Sequence, residues 1–128
     1  MILALRAEHP DIAALLLDRG ASPQACDLSG NTILKVAAWH TPRLVPRLLA
    51  AGVDVNKTDN DGATALMDAS MLGGTRKPSD SAEVVRLLLQ HRARPEVKDL
   101  GGKTALAYAV QDKNWPVVML LKKTGAKE

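Results

Sequence analysis

Apolar residues along the chain gather in short blocks separated by polar turns, and these blocks are of two kinds. The longer blocks are rich in leucine and read IAALLLDRGA from Ile12, LVPRLLAAGV from Leu44, VVRLLLQHRA from Val84 and VVMLLKKTGA from Val117. The shorter blocks are rich in alanine and read ILKVAAW, ALMDASM and ALAYAVQ. Because leucine and alanine are both strong helix formers, the pattern predicts short helices alternating with longer ones.

The two kinds of block recur at a nearly constant spacing. Residues 27–34 (DLSGNTIL), 59–66 (DNDGATAL) and 99–106 (DLGGKTAL) share Asp, Gly, Thr and Leu at identical offsets. The leucine-rich blocks align at Gly20, Gly52, Arg92 and Gly125, in steps of 32, 40 and 33 residues. A helix pair this small cannot bury its apolar face alone, whereas stacked copies can. The repeat therefore predicts a stack of similar units, each made of a turn, a short helix, a loop and a longer helix.

The recurring polar residues explain how each unit is shaped. The aspartate opens a turn through its side chain, and the glycine three positions later supplies the positive φ that closes it. The threonine that follows stands where a helix N-cap belongs. The glycines that end the leucine-rich blocks are placed for a left-handed C-cap. Arg92 replaces this glycine in the third unit, so we expect a less regular helix end there.

The third unit is longer than the others. Twenty residues separate Thr64 from Val84, against 13 from Thr104 to Val117, so seven residues are added between its two helices. We expect Gly73-Gly74 to end the shorter helix, and Asp80 with Glu83 to form a capping box that begins the longer one. No Gly-Lys-Ser/Thr follows the two glycines and no strand precedes them, so a phosphate-binding loop is not indicated. The segment 73–81 is interpreted as a tolerated insertion with at most an accessory contact.

Together the two recurring strings resemble the ankyrin repeat over essentially the whole chain. The resemblance implies an all-α solenoid of stacked helix-turn-helix units, with short β-turn or hairpin fingers and with inner (shorter) and outer (longer) helices. It implies one domain, 1–128, with units of about 1–26, 27–58, 59–98 and 99–128, the first of them incomplete. The family's Thr-Pro-Leu-His reads Thr-Ile-Leu-Lys at 32–35, Thr-Ala-Leu-Met at 64–67 and Thr-Ala-Leu-Ala at 104–107, so its histidine hydrogen bonds are absent.

Composition and charge narrow the function. The net charge of +3 falls short of the concentrated basic surface of a nucleic-acid binder, and the chain has few aromatic residues on which bases could stack. The single cysteine, Cys26, cannot form an internal disulfide, which favours a reducing cytoplasm. No segment has the length of a membrane span. His9, His40 and His91 have no metal-ligand spacing, and no nucleophile with a base is visible, so we expect neither catalysis nor a cofactor nor a metal.

The resemblance implies a non-enzymatic module that binds another protein through its finger tips and the concave face of its inner helices. Carried over position by position, it gives the finger-tip residues Leu28, Ser29, Asn31, Asn60, Asp61, Leu100 and Lys103, and the inner-helix ends Trp39, His40, Met71, Leu72, Gln111 and Asp112. Trp39, Met71 and Leu72 are large apolar residues at positions expected to face solvent. Because interface hot spots favour tryptophan, we expect Trp39 to anchor the partner; the alternative is that Met71 and Leu72 cover the base of the insertion.

Two other functions stay open at this point. The chain could be a regulatory ankyrin segment of a larger protein, or it could carry a small-ligand or enzymatic site at the 73–81 loop. We expect a monomer, with an end-to-end contact through the exposed N-terminal repeat as the alternative.

Overall fold

The structure is a computed structural model of the 128-residue chain, and it describes residues 10–20, 22, 24, 26–71 and 78–125. The helices of these residues are α1 (Pro10–Asp18), α2 (Ile33–His40), α3 (Val45–Ala50), α4 (Ala65–Ser70), α5 (Pro78–Gln90), α6 (Ala105–Gln111) and α7 (Trp115–Lys123). A short 3-10 helix, Pro42–Leu44, runs directly into α3. Within these residues the only β-pairing is an isolated antiparallel bridge between Cys26 and Thr32.

The helices form two layers, and the predicted all-α solenoid is confirmed. The inner helices α2, α4 and α6 pack on one another in sequence, and each packs on its own outer helix α3, α5 or α7. The outer helix α5 also packs on α7. Fully buried alanines, among them Ala37, Ala69 and Ala109, lie in the inner layer and allow these short helices to approach closely. The core is therefore continuous along the stack and belongs to no single unit.

The predicted turn and cap chemistry is confirmed at every finger. In the first finger, Asp27 Oδ1 accepts hydrogen bonds from the amides of Ser29 and Asn31, each at 2.9 Å. The closing glycines all have positive φ, near +77°, at Gly30, Gly62 and Gly102. The threonine N-caps accept from the amide three residues later in Thr32, Thr64 and Thr104. Each finger thus delivers the chain into its inner helix by the same local hydrogen bonds.

Neighbouring fingers lie against each other, which adds a second reason for the glycines. A Cβ placed on Gly30 would lie 2.8 Å from Asn60 Oδ1 and 3.0 Å from the Asn60 backbone nitrogen. The Asn60 amide donates to the Ser29 carbonyl at 3.0 Å, and the Leu100 amide donates to the Asp61 carbonyl at 2.9 Å. These backbone bonds join the three fingers into one hydrogen-bonded row.

A buried ion pair joins the second unit to the third. Lys35 occupies the position of the family's histidine, and its side chain is only 2% exposed. Its Nζ lies 2.7 Å from Asp68 Oδ2 and 3.4 Å from Asp59 Oδ2, and it donates to the Thr64 carbonyl at 3.5 Å. The loss of the histidine is therefore accompanied at this position by a lysine whose contacts cross to the next unit.

The boundaries of the insertion differ from the prediction. The helix α4 already ends at Ser70, where Met71 turns to extended backbone, so it ends before Gly73-Gly74, which lie outside the described residues. The helix α5 begins at Pro78, where the missing amide hydrogen is harmless. The predicted capping box is therefore wrong, because Asp80 lies inside the first turn; Glu83 instead pairs with Arg86 at 3.0 Å.

The helix end at Arg92 is as regular as those that end in glycine, contrary to the prediction. Arg92 adopts the left-handed conformation, with φ of 68°. Its amide donates to the Leu89 carbonyl, and the Ala93 amide donates to the Leu88 carbonyl at 3.0 Å, the paired bonds of a Schellman motif. Asn56 reinforces this end from the second unit, since its Nδ2 donates to the Arg92 carbonyl at 3.1 Å. The hydrogen bonds impose the conformation on a residue that disfavours it.

We predict that Arg92→Gly raises the free energy of unfolding by about 1 kcal/mol, because a residue with a Cβ is strained in this conformation. Urea denaturation followed by circular dichroism measures the change. The reciprocal control is Gly52→Arg, which should lower stability by a similar amount, since Gly52 has φ of +81° and open space around its Cβ position. A less stable Arg92→Gly variant would contradict the assignment of strain.

Candidate protein-binding surface

The finger tips present leucine in two of three places. Leu28 is 102% exposed and Leu100 is 80% exposed. Between them stands Asn60, whose Nδ2 donates to the Leu28 carbonyl at 3.1 Å. The two apolar side chains therefore project from backbone that is fixed by hydrogen bonds to the neighbouring finger.

The remaining finger-tip candidates do not all lie at the tips. Ser29 and Asp61 are exposed, and their carbonyls accept the bonds between fingers. Asn31 is half-buried, and its Nδ2 donates to Asp27 Oδ2 at 3.2 Å. Its side chain thus braces the turn from within.

The inner-helix ends carry a mixed set of side chains. Trp39 is 37% exposed, so most of its surface is covered by its own chain and one part reaches solvent. His40 ends α2 and is half-buried, as are Met71, which follows α4, and Asp112, which follows α6. Gln111, the last residue of α6, is exposed. Leu72 lies outside the described residues.

The structure brings two candidates together around a residue that the sequence analysis missed. Lys103 Nζ donates to Gln111 Oε1 at 3.0 Å and lies 5.4 Å from the centre of the Tyr108 ring, a cation–π distance. The Tyr108 hydroxyl donates to Asp99 Oδ2. The sequence did contain a signal for Tyr108. It lies one helical turn after the N-cap Thr104, at the position where the other units have Val36 and Asp68.

The hydrogen bond from Tyr108 has opposite effects on the two groups that share it. It is the largest cause of the lowered pKa of Asp99, followed by the hydrogen bond from the Lys103 amide. The same bond, followed by burial, raises the pKa of Tyr108 to about 12. The tyrosine is therefore a neutral hydrogen-bond donor at physiological pH, and it links the third finger to the inner helix α6.

The described residues contain no group of three or more His, Cys, Asp or Glu side chains arranged to hold a metal ion.

A shallow apolar cleft lies on the outer-helix side, between the 3-10 helix and α5. Its apolar lining residues are Pro42, Pro46, Val84 and Leu87, and the charged residues Arg43, Asp80 and Glu83 line it as well. None of the helices traced in these parts of the chain is long and apolar enough to cross a membrane.

The two helical layers and the row of fingers define the class of protein as a helical-repeat solenoid. The family model for ankyrin repeats, in three copies, matches residues 40–128. The chain belongs to the ankyrin-repeat family.

Similar proteins are longer than this chain and occur in distant organisms. The ankyrin repeat domain-containing protein SAT10 of Stachybotrys chartarum is 36% identical over 125 residues, which are 97% of this chain and 6% of that protein. The mouse B-cell lymphoma 3 protein homolog is 33% identical over 130 residues, covering 97% of this chain and 28% of the relative. The mouse NF-kappa-B inhibitor delta is 32% identical over 138 residues, with 94% and 42% covered. The chain thus spans less than half the length of each.

We predict that Tyr108 titrates with a midpoint near pH 12, and that Asp99→Asn moves this midpoint down toward 10. Because the raised pKa favours the neutral phenol, its contribution to stability is complete below pH 10 and is lost as the pH rises toward 12. The chain has one tyrosine, so the ultraviolet absorbance of tyrosinate reports this group alone. Circular dichroism at each pH must show that helix content persists. A wild-type midpoint near 10 in the folded protein would contradict the hydrogen bond.

Proposed function

We propose that this chain is a non-enzymatic module that binds another protein through its finger tips and the concave face of its inner helices. The observation that carries the proposal is the pair of exposed leucines, Leu28 and Leu100, on hydrogen-bonded fingers. Ankyrin repeats are a general protein-interaction module, which agrees with this use of the surface.

The hydrogen-bonded fingers favour binding because their backbone is already ordered before a partner arrives. Burying one fully exposed leucine in a partner contributes about 2 kcal/mol. The fingers that hold Leu28 and Leu100 are already joined by the bonds from Asn60 to Ser29 and from Leu100 to Asp61, so their backbone loses little entropy when a partner binds. Two such contacts on a preorganised row support specific association.

Trp39 is proposed as the anchor at the inner-helix end. Most of its surface is covered, and the exposed 37% is available to fill a pocket in a partner. Buried aromatic anchors of this kind dominate interface energies. His40 is the next residue along the chain, and Met71 occupies the position after α4 that corresponds to Trp39. Both would add contact area.

The Lys103–Gln111 pair gives the proposed surface a polar and positively charged end. Lys103 is held by Gln111 Oε1 and by the Tyr108 ring, so its ammonium is positioned before a partner arrives. A partner carboxylate near its apolar contact residues would pair with the Lys103 ammonium at this end. Leu28, Trp39 and Lys103 thus define a partner with apolar pockets and an acidic margin.

A second candidate function is that of a regulatory segment within a larger protein. The lengths of the relatives favour it, since the chain spans 28% of the B-cell lymphoma 3 protein homolog and 42% of NF-kappa-B inhibitor delta. The delta protein is named as an inhibitor of NF-kappa-B. By analogy, this chain would regulate a protein by occupying one of its surfaces. The exposed thiol of Cys26 is consistent with a reducing cytoplasm.

The test places a photo-crosslinking amino acid at Leu28, Trp39 or Gln111 and compares the products with those from Arg86. Arg86 is about half exposed on the outer helix α5, so it is a matched solvent-accessible control on the opposite layer. After irradiation in lysate of the source organism, the three concave positions should crosslink to the same protein and Arg86 should not.

Crosslinking from Arg86 alone, or equally from all four positions, would contradict binding at the concave surface. Purified partner then allows a dissociation constant to be measured for Trp39→Leu, which keeps an apolar stem. This variant should weaken binding about tenfold, a change of about 1.4 kcal/mol.

A further inference from the structure

The shallow cleft of the outer-helix layer is a surface that the proposed concave site does not use. Pro42 and Pro46, from the 3-10 helix and α3, form one apolar wall, and Val84 and Leu87 of α5 form the other. The volume of the cleft is about 180 Å³. Because apolar cavities of about 150 Å³ accept a benzene-sized group, the cleft has room for one leucine or phenylalanine side chain.

The proline wall is short and preorganised. Pro46 stands at the register position of Arg86 in the next unit, so a small ring replaces a long side chain on this face. A proline ring loses almost no side-chain entropy when it is covered. Pro42 and Leu87 are half-buried and Pro46 is exposed, so apolar surface of both walls reaches solvent. The cleft is therefore formed before a ligand arrives.

Exposed charges of opposite sign stand on the two walls. Arg43 belongs to the 3-10 helix, whereas Asp80 and Glu83 belong to the first two turns of α5. Glu83 pairs with Arg86 at 3.0 Å, so these two charges offset each other and Asp80 gives the α5 wall its sign. In the described part of the chain, neither Arg43 nor Asp80 forms an ion pair. The two charges thus line the same cleft without meeting.

This arrangement selects a ligand by the signs of the charges on either side of its apolar group. A ligand with charges of one sign is attracted to one wall and repelled by the other. A segment with a carboxylate on one side of an apolar side chain and a cation on the other is attracted to both walls. Its carboxylate would face Arg43, and its cation would face Asp80.

We propose that the cleft binds a peptide segment of another protein in which one apolar residue lies between an acidic and a basic residue. The apolar side chain fills the space between the prolines and α5, and the flanking charges pair with Arg43 and Asp80. The cleft lies on the layer opposite to the concave surface, so this site does not rest on the function proposed above, and both surfaces can be occupied at once.

The test is an NMR titration of the isotope-labelled chain with capped tripeptides. N-acetyl-Glu-Leu-Lys-amide and N-acetyl-Lys-Leu-Glu-amide present the two charges in both chain directions. At least one of them should give saturable shifts of the backbone amides at 43–48 and 80–87. The like-charged probes Glu-Leu-Glu and Lys-Leu-Lys, capped in the same way, should bind about threefold more weakly, the effect of one exposed ion pair. Replacing leucine by serine in the better probe should abolish saturation.

Charge reversal on each wall tests the selection directly. Asp80→Lys makes both walls positive and should transfer the preference to the Glu-Leu-Glu probe. Arg43→Glu makes both walls negative and should transfer it to Lys-Leu-Lys. The matched control is Asp11→Lys, because Asp11 is also an exposed aspartate in the first turn of a helix and lies outside the cleft. This control should keep the wild-type order of affinities, and circular dichroism must show wild-type helix content for all three variants.

Equal affinity for all leucine probes would mean apolar contact without charge selection, and it would overturn the proposal. The proposal would also be overturned if no probe gave saturable shifts at the two walls, or if the shifts were confined to the finger tips and the inner-helix ends. An order of affinities that neither wall variant changes would contradict the roles of Arg43 and Asp80.

Discussion

The constraint on which the structure depends is that every helix pair must be covered by its neighbour. The clearest example is Lys35, whose buried ammonium is contacted only by groups of the next unit among the contacts described above. An ammonium that is 2% exposed is tolerable only when opposite charge and hydrogen-bond acceptors lie at close range. Here both come from the next unit, through Asp68, Asp59 and the Thr64 carbonyl. The second unit therefore holds its lysine in place only while the third unit is stacked on it.

The same dependence fixes the geometry of the finger tips. The fingers are too short to be stable as isolated hairpins, since within the described chain their β-pairing is limited to the bridge at Cys26 and Thr32. They are held by aspartate side chains within each turn and by backbone bonds to the next finger. Stacking thus fixes the positions from which Leu28 and Leu100 project, and the fold and the proposed binding surface have one physical cause.

Much of the fold could be predicted because it is encoded locally. The recurring Asp, Gly and Thr specify hydrogen bonds that lie within five residues, and the structure contains them in all three fingers. The prediction of a less regular helix end at Arg92 was wrong because its conformation follows from the hydrogen bonds of the helix end and from Asn56 in another unit. The start of α5 at Pro78 was missed because proline and the nearby Asp80 both favour a helix N-terminus, and the sequence does not rank them.

The candidate surface was harder to predict than the fold, because its chemistry depends on contacts between units and on local bracing. Sequence register identified Lys103 and Gln111 separately, but their contact at 3.0 Å around Tyr108 depends on the packing of α6 against its finger. Asn31 was assigned to a tip because register gives its position along the chain, whereas its side chain turns back to Asp27. The partner-binding roles of these residues remain predictions.

The central claim, that units stabilise each other through specific contacts, is tested most directly by a double-mutant cycle on Lys35→Met and Asp68→Leu. Lys35→Met leaves Asp68 and Asp59 without their shared cation and should lower the free energy of unfolding by about 3 kcal/mol. Asp68→Leu should lower it by less, because Lys35 keeps its longer contact with Asp59. The double variant removes both charges of the closer pair, so it should be destabilised by clearly less than the sum of the two, as measured by urea denaturation. Strictly additive effects, with no coupling energy between the two positions, would contradict the account.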